Sequence, residues 1–140
     1  MKVGIIGCGK IAQVRHIPEY LENPDVEIVG YYDWNADRAA ELAAQFGGKA
    51  YSTEDELLAD KEMDVSVCVA NNAHAKVTIK ALNAGKHVLC EKPMAVTLEE
   101  CMDMVKAADE NGKYLMIGQN QRFAKAHVKA KELISEGVIG

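Results

Sequence analysis

The chain has no block of basic residues. Its 16 lysines and arginines are outweighed by 21 aspartates and glutamates, a net charge of −5, which excludes the positive footprint that non-specific nucleic-acid binding needs. It has no apolar run near the roughly 18 residues that span a membrane. No basic-then-apolar leader is present either, because residues 1–7 already read as a core strand. A cytoplasmic protein with no membrane contact is therefore expected. Cysteine is sparse: Cys8, Cys68, Cys90 and Cys101 form no C-x-x-C pair. Three of them lie in or beside apolar runs, the setting of buried reduced thiols rather than of zinc or disulfide chemistry. No metal site is legible, and internal repeats, low-complexity tracts and flexible linkers are lacking.

What is present has the composition of an ordinary soluble domain, with 49% hydrophobic and 26% charged residues in 140, a size that suits one folded unit. The most informative stretch is residues 3–14, an apolar run that breaks into Gly7-Cys8-Gly9-Lys10-Ile11-Ala12. This order implies a strand, a turn too tight for a β-carbon, and a helix. Such a turn aims backbone N–H groups and the positive end of a helix dipole at one spot, which favours a phosphate. Gly7 permits the turn, Gly9 lets the backbone approach a pyrophosphate, and Ala12 permits close helix–strand packing.

Glycine-rich turns follow many strands, so the context decides. A second strand should end in an acidic residue about 20 positions further on, and the β-branched and aromatic run 26–32 stops at Asp33. Asp33 is read as a carboxylate for the adenosine ribose hydroxyls, the plain alternative being a polar residue that closes a strand. A carboxylate there repels the 2′-phosphate of NADP, so NAD is the expected cofactor. Trp34 offers no compensating cation, and Arg38 is the one candidate for that role.

Strand-like and helix-like segments alternate along the chain, which predicts a doubly wound parallel sheet of Rossmann type with helices on both faces. Strands are expected at 2–6, 26–32, 65–69, 87–90 and 114–117, with a short one near 50. The periodicity predicts helices over 36–46, 55–59 with Thr53 as cap, 97–111 and 124–136. In the 97–111 helix, Thr97 and Glu100 form a capping box, Gly112 takes the C-cap, and Leu98, Cys101, Met102 and Val105 are expected to face inward. Pro18 implies either a kink in the first helix or a second helix starting there. Val138-Ile139-Gly140 reads as the opening of a further strand, so the chain reads as unfinished.

Ligands of such a sheet bind beyond the carboxyl ends of its strands. The loops there carry Ala70-Asn71-Asn72-Ala73-His74, Glu91-Lys92-Pro93 and Gly118-Gln119-Asn120-Gln121-Arg122-Phe123. Together with Gly-Cys-Gly-Lys-Ile-Ala at 7–12, Asp33, and the Lys-Glu-Leu-Ile-x-x-Gly run at 131–137, these motifs resemble the glucose–fructose oxidoreductase, inositol dehydrogenase and MocA group of nicotinamide-dependent oxidoreductases. The resemblance covers essentially the whole chain. One departure is Ala70-Asn71, where that group usually has Thr-Pro.

The resemblance implies an NAD-binding domain at 1–120, with 121–140 starting the connection to a second, substrate-binding α/β domain that supplies an Asp and a His. It also implies hydride transfer between nicotinamide and a secondary alcohol or carbonyl of a sugar, cyclitol or similar polyol, and a homo-oligomer that pairs through the second domain. Lys92 is then the active-site lysine, and an ammonium there stabilises a developing alkoxide or relays a proton; the plain alternative is a surface lysine in a turn. Gly7, Gly9, Lys10, Ile11, Ala12, Asp33, Trp34, Arg38, Asn71, Asn72, His74 and Glu91 are the cofactor-side candidates. Glu91 either contacts the cofactor or holds Lys92. Asn71 and Asn72 either reach the nicotinamide ribose or only form a turn. His74 is read as a capping or cofactor-side residue, with a general acid–base role as the alternative. Arg122 reaches the active site or braces a domain joint. His16, His87 and His127 are read as structural. Two rival readings are a relative with the same first domain and a different reaction, and a non-catalytic module that senses the cofactor.

Overall fold

Six short strands make a single sheet in the computed structural model, which describes residues 1–140. They are β1 (Lys2–Ile6), β2 (Glu27–Tyr32), β3 (Lys49–Ala50), β4 (Asp64–Val67), β5 (Val88–Cys90) and β6 (Leu115–Ile117), in the order β3-β2-β1-β4-β5-β6. All pairs are parallel, so each connection must cross a face of the sheet, and the crossovers are helical. The helices are α1 (Ile17–Glu22), α2 (Ala36–Phe46), α3 (Glu54–Ala59), α4 (His74–Asn83), α5 (Leu98–Asn111) and α6 (Lys125–Ser135).

Successive side chains of β1 sort the two faces. Ile5 packs with Ile17 of α1 and with Ala39 and Leu42 of α2. Ile6 packs on the other side with Leu57 of α3, Leu82 of α4 and Met104 of α5. With helices on both faces, the sheet is the doubly wound one that the alternation of segments predicts. Strand order reverses between β1 and β4, whose ends stand side by side through the pairing of Ile6 with Val67. A crevice opens outside the carboxyl ends at such a switch point, and ligands bind there.

Apart from the strand opening expected at 138–140, the expected elements are found, with differences only at their ends. Local side-chain chemistry explains the starts. The Thr53 side chain accepts from the Glu56 amide at 3.1 Å, and the Thr97 side chain from the Glu100 amide at 3.2 Å. Glu100 returns the bond to the Thr97 amide at 3.0 Å, which completes the capping box. Gly112 ends α5 in the left-handed conformation, φ 60°.

Three expectations are corrected. On α5 the stripe Leu98, Met102 and Val105 points outward, at 77%, 64% and 49% exposure, with Cys101 half-buried; the buried residues are Met104, Ala107 and Ala108. Helical spacing offers both stripes, and the small Ala107 and Ala108 let α5 approach Ala81 of α4 closely enough to join the larger core cluster. Second, Val138–Gly140 forms no strand, and α6 buries none of its residues. Third, the two options left open at Pro18 resolve into a second helix. Helical backbone runs from Lys10 to Glu22, but Ala12–His16 is a π-helical turn closed by the Ile17 amide on the Ala12 carbonyl, and Pro18 falls in the first turn of α1. No helix is long and apolar enough to cross a membrane.

The cysteines are free. Burial pushes the thiols of Cys8 and Cys68 up to about 12 and that of Cys90 up to about 11, so all three are un-ionised and unreactive at neutral pH.

Candidate dinucleotide-binding site

The two glycines of the turn after β1 are needed for different reasons. Gly7 has φ +96°, and a β-carbon on it would come within 2.6 Å of the Cys68 carbonyl oxygen. The protein itself therefore excludes a side chain there, at a point where the Gly7 amide bonds the Tyr32 carbonyl at 2.8 Å. A β-carbon on Gly9 would meet no protein atom within 4 Å. The space in front of Gly9 is open. Gly9 also caps the helical segment, since its carbonyl accepts from the Gln13 amide at 3.2 Å. The first-turn amides that follow have no intrahelical acceptor, and they face that space with the helix dipole behind them. Ala12 is fully buried against the sheet, as close helix–strand contact requires. The residues present fit a pyrophosphate.

Two clefts flank this turn. The first, of about 450 Å³, runs from Gly7 and Gly9 past Asp33 to Trp34 and Arg38, with Val69, Ala70, Ala73 and Val77 as its apolar wall and Lys76 at its edge. Asp33 is 6% exposed. One carboxylate oxygen accepts from the Cys8 amide at 2.7 Å and the other from the Asn35 amide at 2.8 Å. The residue thus braces the glycine turn against the end of β2. At the lip, the Arg38 guanidinium lies 5.9 Å from the centre of the Trp34 ring, a cation–π distance.

The second cleft, of about 420 Å³, lies between the helical segment and the ends of β5 and β6. Ile11, His16, Glu91, Lys92, Gln119 and Asn120 border it. Glu91 is nearly buried, and its two oxygens accept from His16 Nε2 at 2.8 Å and from the Lys92 amide at 3.1 Å. Gly118 keeps this corner open, since a β-carbon there would come within 3.3 Å of Glu91 Oε1. Lys92 is exposed, and its peptide bond to Pro93 is cis.

The structure brings Gly7, Gly9, Asp33, Trp34 and Arg38 to one cleft and Ile11, Glu91 and Lys92 to the other. Lys10, Asn71 and Asn72 are exposed and are not among the residues that line either cleft. His74 is 1% exposed and borders neither cleft; its ring nitrogens face the Pro93 carbonyl at 2.6 Å and the Val69 carbonyl at 3.2 Å. It ties the loop after β4 to the loop after β5. Gln119 lies in the expected loop after β6, whereas Lys76 and His16 were not foreseen at the clefts. Nothing local in the sequence marks these two, because each arrives there through the packing of a helix on the sheet.

Parallel strands in this order, a glycine turn open to phosphate and an acidic residue ending β2 define a dinucleotide-binding Rossmann domain. The chain belongs to the oxidoreductase family with an NAD-binding Rossmann fold that groups glucose–fructose oxidoreductase, inositol dehydrogenase and MocA; the match covers residues 1–119. It is 37% identical to inositol 2-dehydrogenase of Salmonella typhimurium and 37% identical to D-glucoside 3-dehydrogenase of Escherichia coli, in each case over 100% of its own length. It covers 43% and 40% of those relatives, so the chain spans less than half their length. Among solved structures it is similar to a 3-ketoreductase from Actinomadura kijaniata in complex with NADP and TDP-benzene, with a TM-score of 0.89 and 33% identity over 100% of this chain and 43% of that one.

That likeness overturns the expected preference for NAD over NADP, because this similar enzyme holds NADP in several complexes. The physical flaw in the expectation is also visible. Both Asp33 oxygens are engaged by main-chain amides that offset their charge, and Arg38 stands at the same lip.

Proposed function

We propose that this chain is the cofactor-binding domain of an NAD(P)(H)-dependent oxidoreductase acting on a sugar, a cyclitol or a related polyol. The observation that carries the reading is the open space before Gly9, which no protein contact accounts for, set between one cleft with an apolar wall and another that presents a lysine. The apolar wall and Trp34 take the adenosine. Arg38 is the cation available to a 2′-phosphate. Ile11 and the other residues of the second cleft would hold the nicotinamide end. The cofactor, when bound, supplies or accepts the hydride.

The chain's own residues do the rest. Gly9 and the amides after it hold the pyrophosphate, and Asp33 keeps the turn in place. Glu91 fixes the backbone of Lys92. The Lys92 ammonium stabilises negative charge on the substrate oxygen, or passes the proton released with it. We place the dinucleotide-binding domain at 1–120 and the start of a connection to a substrate domain at 121–140. The polyol and any homo-oligomer contact belong to that larger protein. Sugar and cyclitol chemistry in the names of the similar enzymes supports this substrate class.

Titration of the 140-residue chain with NADPH and NADH, read by calorimetry, tests the cofactor part of the reading. Binding of at least one is expected, with no turnover of a polyol panel at 340 nm. Absence of binding to either overturns the assignment.

A further inference from the structure

His16 is a buried titratable group that the proposed reaction leaves unused. It is 8% exposed, on the wall of the second cleft. The π-helical turn Ala12–His16 puts it there. By closing on the Ile17 amide five residues later, the turn carries one more residue than an α-helical turn. The extra residue lets the adjacent His16 and Ile17 both face inward, at 8% and 0% exposure. Widened turns of this kind recur at functional sites.

The ring lies in a chain of polar contacts. Nε2 meets Glu91 Oε1 at 2.8 Å, and Nδ1 meets the hydroxyl of the fully buried Ser66 at 3.4 Å. A carboxylate only accepts, so Nε2 carries the proton. Glu91 Oε2 then accepts from the Lys92 amide at 3.1 Å. Glu91 is thus a clamp with one arm on His16 and the other on the main chain of Lys92. Without the histidine arm, a nearly buried carboxylate would lose its partner and turn toward water, because an unpaired buried charge is costly.

We propose that His16 is a positioning residue: by donating to Glu91 it holds the carboxylate that fixes the Lys92 backbone, and so aims the lysine at the substrate oxygen. The aim rests on the proposed role of Lys92; the hydrogen-bond linkage does not. The hydroxyl of Ser66 has no access to solvent and lies between the ring, at 3.4 Å, and Cys68 Sγ, at 3.6 Å.

The linkage is tested in the 140-residue chain by amide hydrogen exchange at Lys92, with the β1 amides as internal reference. His16→Gln keeps a donor where Nε2 was, whereas His16→Met has similar reach and no donor. Exchange at Lys92 is expected to rise about tenfold in His16→Met and to stay within about threefold of the unsubstituted chain in His16→Gln, the scale of one buried hydrogen bond to a charge. Equal exchange in both variants overturns the proposal. Nitrogen-detected NMR of the unsubstituted chain needs no variant: a proton on Nε2 is expected, and a bare Nε2 overturns it. In the longer enzyme, kcat on its polyol should fall about tenfold or more in His16→Met, with the KM for NADPH within about twofold, and His16→Gln should restore most of it. If the exchange result holds while Lys92→Ala leaves kcat unchanged, the reading of Lys92 fails and the linkage stands.

Discussion

The two clefts beside the glycine turn are built by different means. The first is made of main chain and apolar wall. Asp33, its buried carboxylate beside the turn, has both oxygens turned onto backbone amides, and Arg38 at its lip lies 5.9 Å from the centre of an exposed ring. The second is made of side chains that hold one another, His16 on Glu91 and Glu91 on the Lys92 amide, over a buried serine. The first suits a part of the ligand that must be gripped and does not change. The second suits a place where charge develops, because a fixed polar network in a partly dry site stabilises new charge without rearranging. On the proposed function, holding and reacting fall on opposite sides of one turn: the first cleft straddles the switch point between β1 and β4, and the second lies at the ends of β5 and β6.

If that division is right, the largest effect belongs to the second cleft. Lys92→Ala should lower kcat of the longer enzyme by roughly 10²–10⁴, the range for losing a proton-transfer or charge-stabilising group, while cofactor affinity of the 140-residue chain stays within about twofold. Steady-state kinetics beside calorimetry reads both; a loss confined to affinity would erase the distinction between the clefts.

The turn itself serves both sides, so Gly9→Val should weaken NAD(P)H binding by about 100-fold or more, near 2.7 kcal/mol. The fold should survive, because that side chain meets no protein atom. Gly7→Ala should act in the reverse sense. Its positive φ and the contact with the Cys68 carbonyl should cost the fold about 1–3 kcal/mol, read by urea unfolding. Two glycines two residues apart would then separate binding from stability.

A smaller effect is expected at the lip of the first cleft. Arg38→Ala should weaken NADPH by about tenfold, the scale of a charge-assisted bond to phosphate, and NADH by much less. Equal losses for the two cofactors would show that Arg38 packs on the adenine instead of meeting the 2′-phosphate.

Outside both clefts, the exposed face of α5 should matter least. Met102→Ser should change the stability of the 140-residue chain by less than about 0.5 kcal/mol, whereas Met104→Ala, at a fully buried position, should cost about 2–5 kcal/mol. Thermal melts of the two variants side by side make this check.

Much of the molecule was legible before its fold was known, wherever neighbouring residues decide the matter. Thr97 and Glu100 lie within one helical turn of each other, so their capping box can be read from spacing alone. Gly7, Gly9 and Ala12 also act within a single turn, and Asp33 follows from the length of one strand–helix–strand unit. The parallel sheet follows from the alternation of segments, because parallel neighbours require a crossover. What spacing does not contain is direction. Helical periodicity on α5 offers Leu98, Met102 and Val105 as readily as Met104, Ala107 and Ala108, and only the fit against α4 chooses. Asp33 was placed correctly at the end of β2, but the inference from its charge failed, because the amides of Cys8 and Asn35 reach it only in the folded chain. His16 and Glu91 stand far apart in sequence and meet at 2.8 Å through a widened helical turn on one side of the sheet and a strand end on the other. Periodicity, caps and turns are settled by interactions within a few residues, and the sequence by itself determined them. Which face is buried, which charge is already satisfied and which distant side chains touch depend on packing across the sheet, and only the tertiary structure decided them.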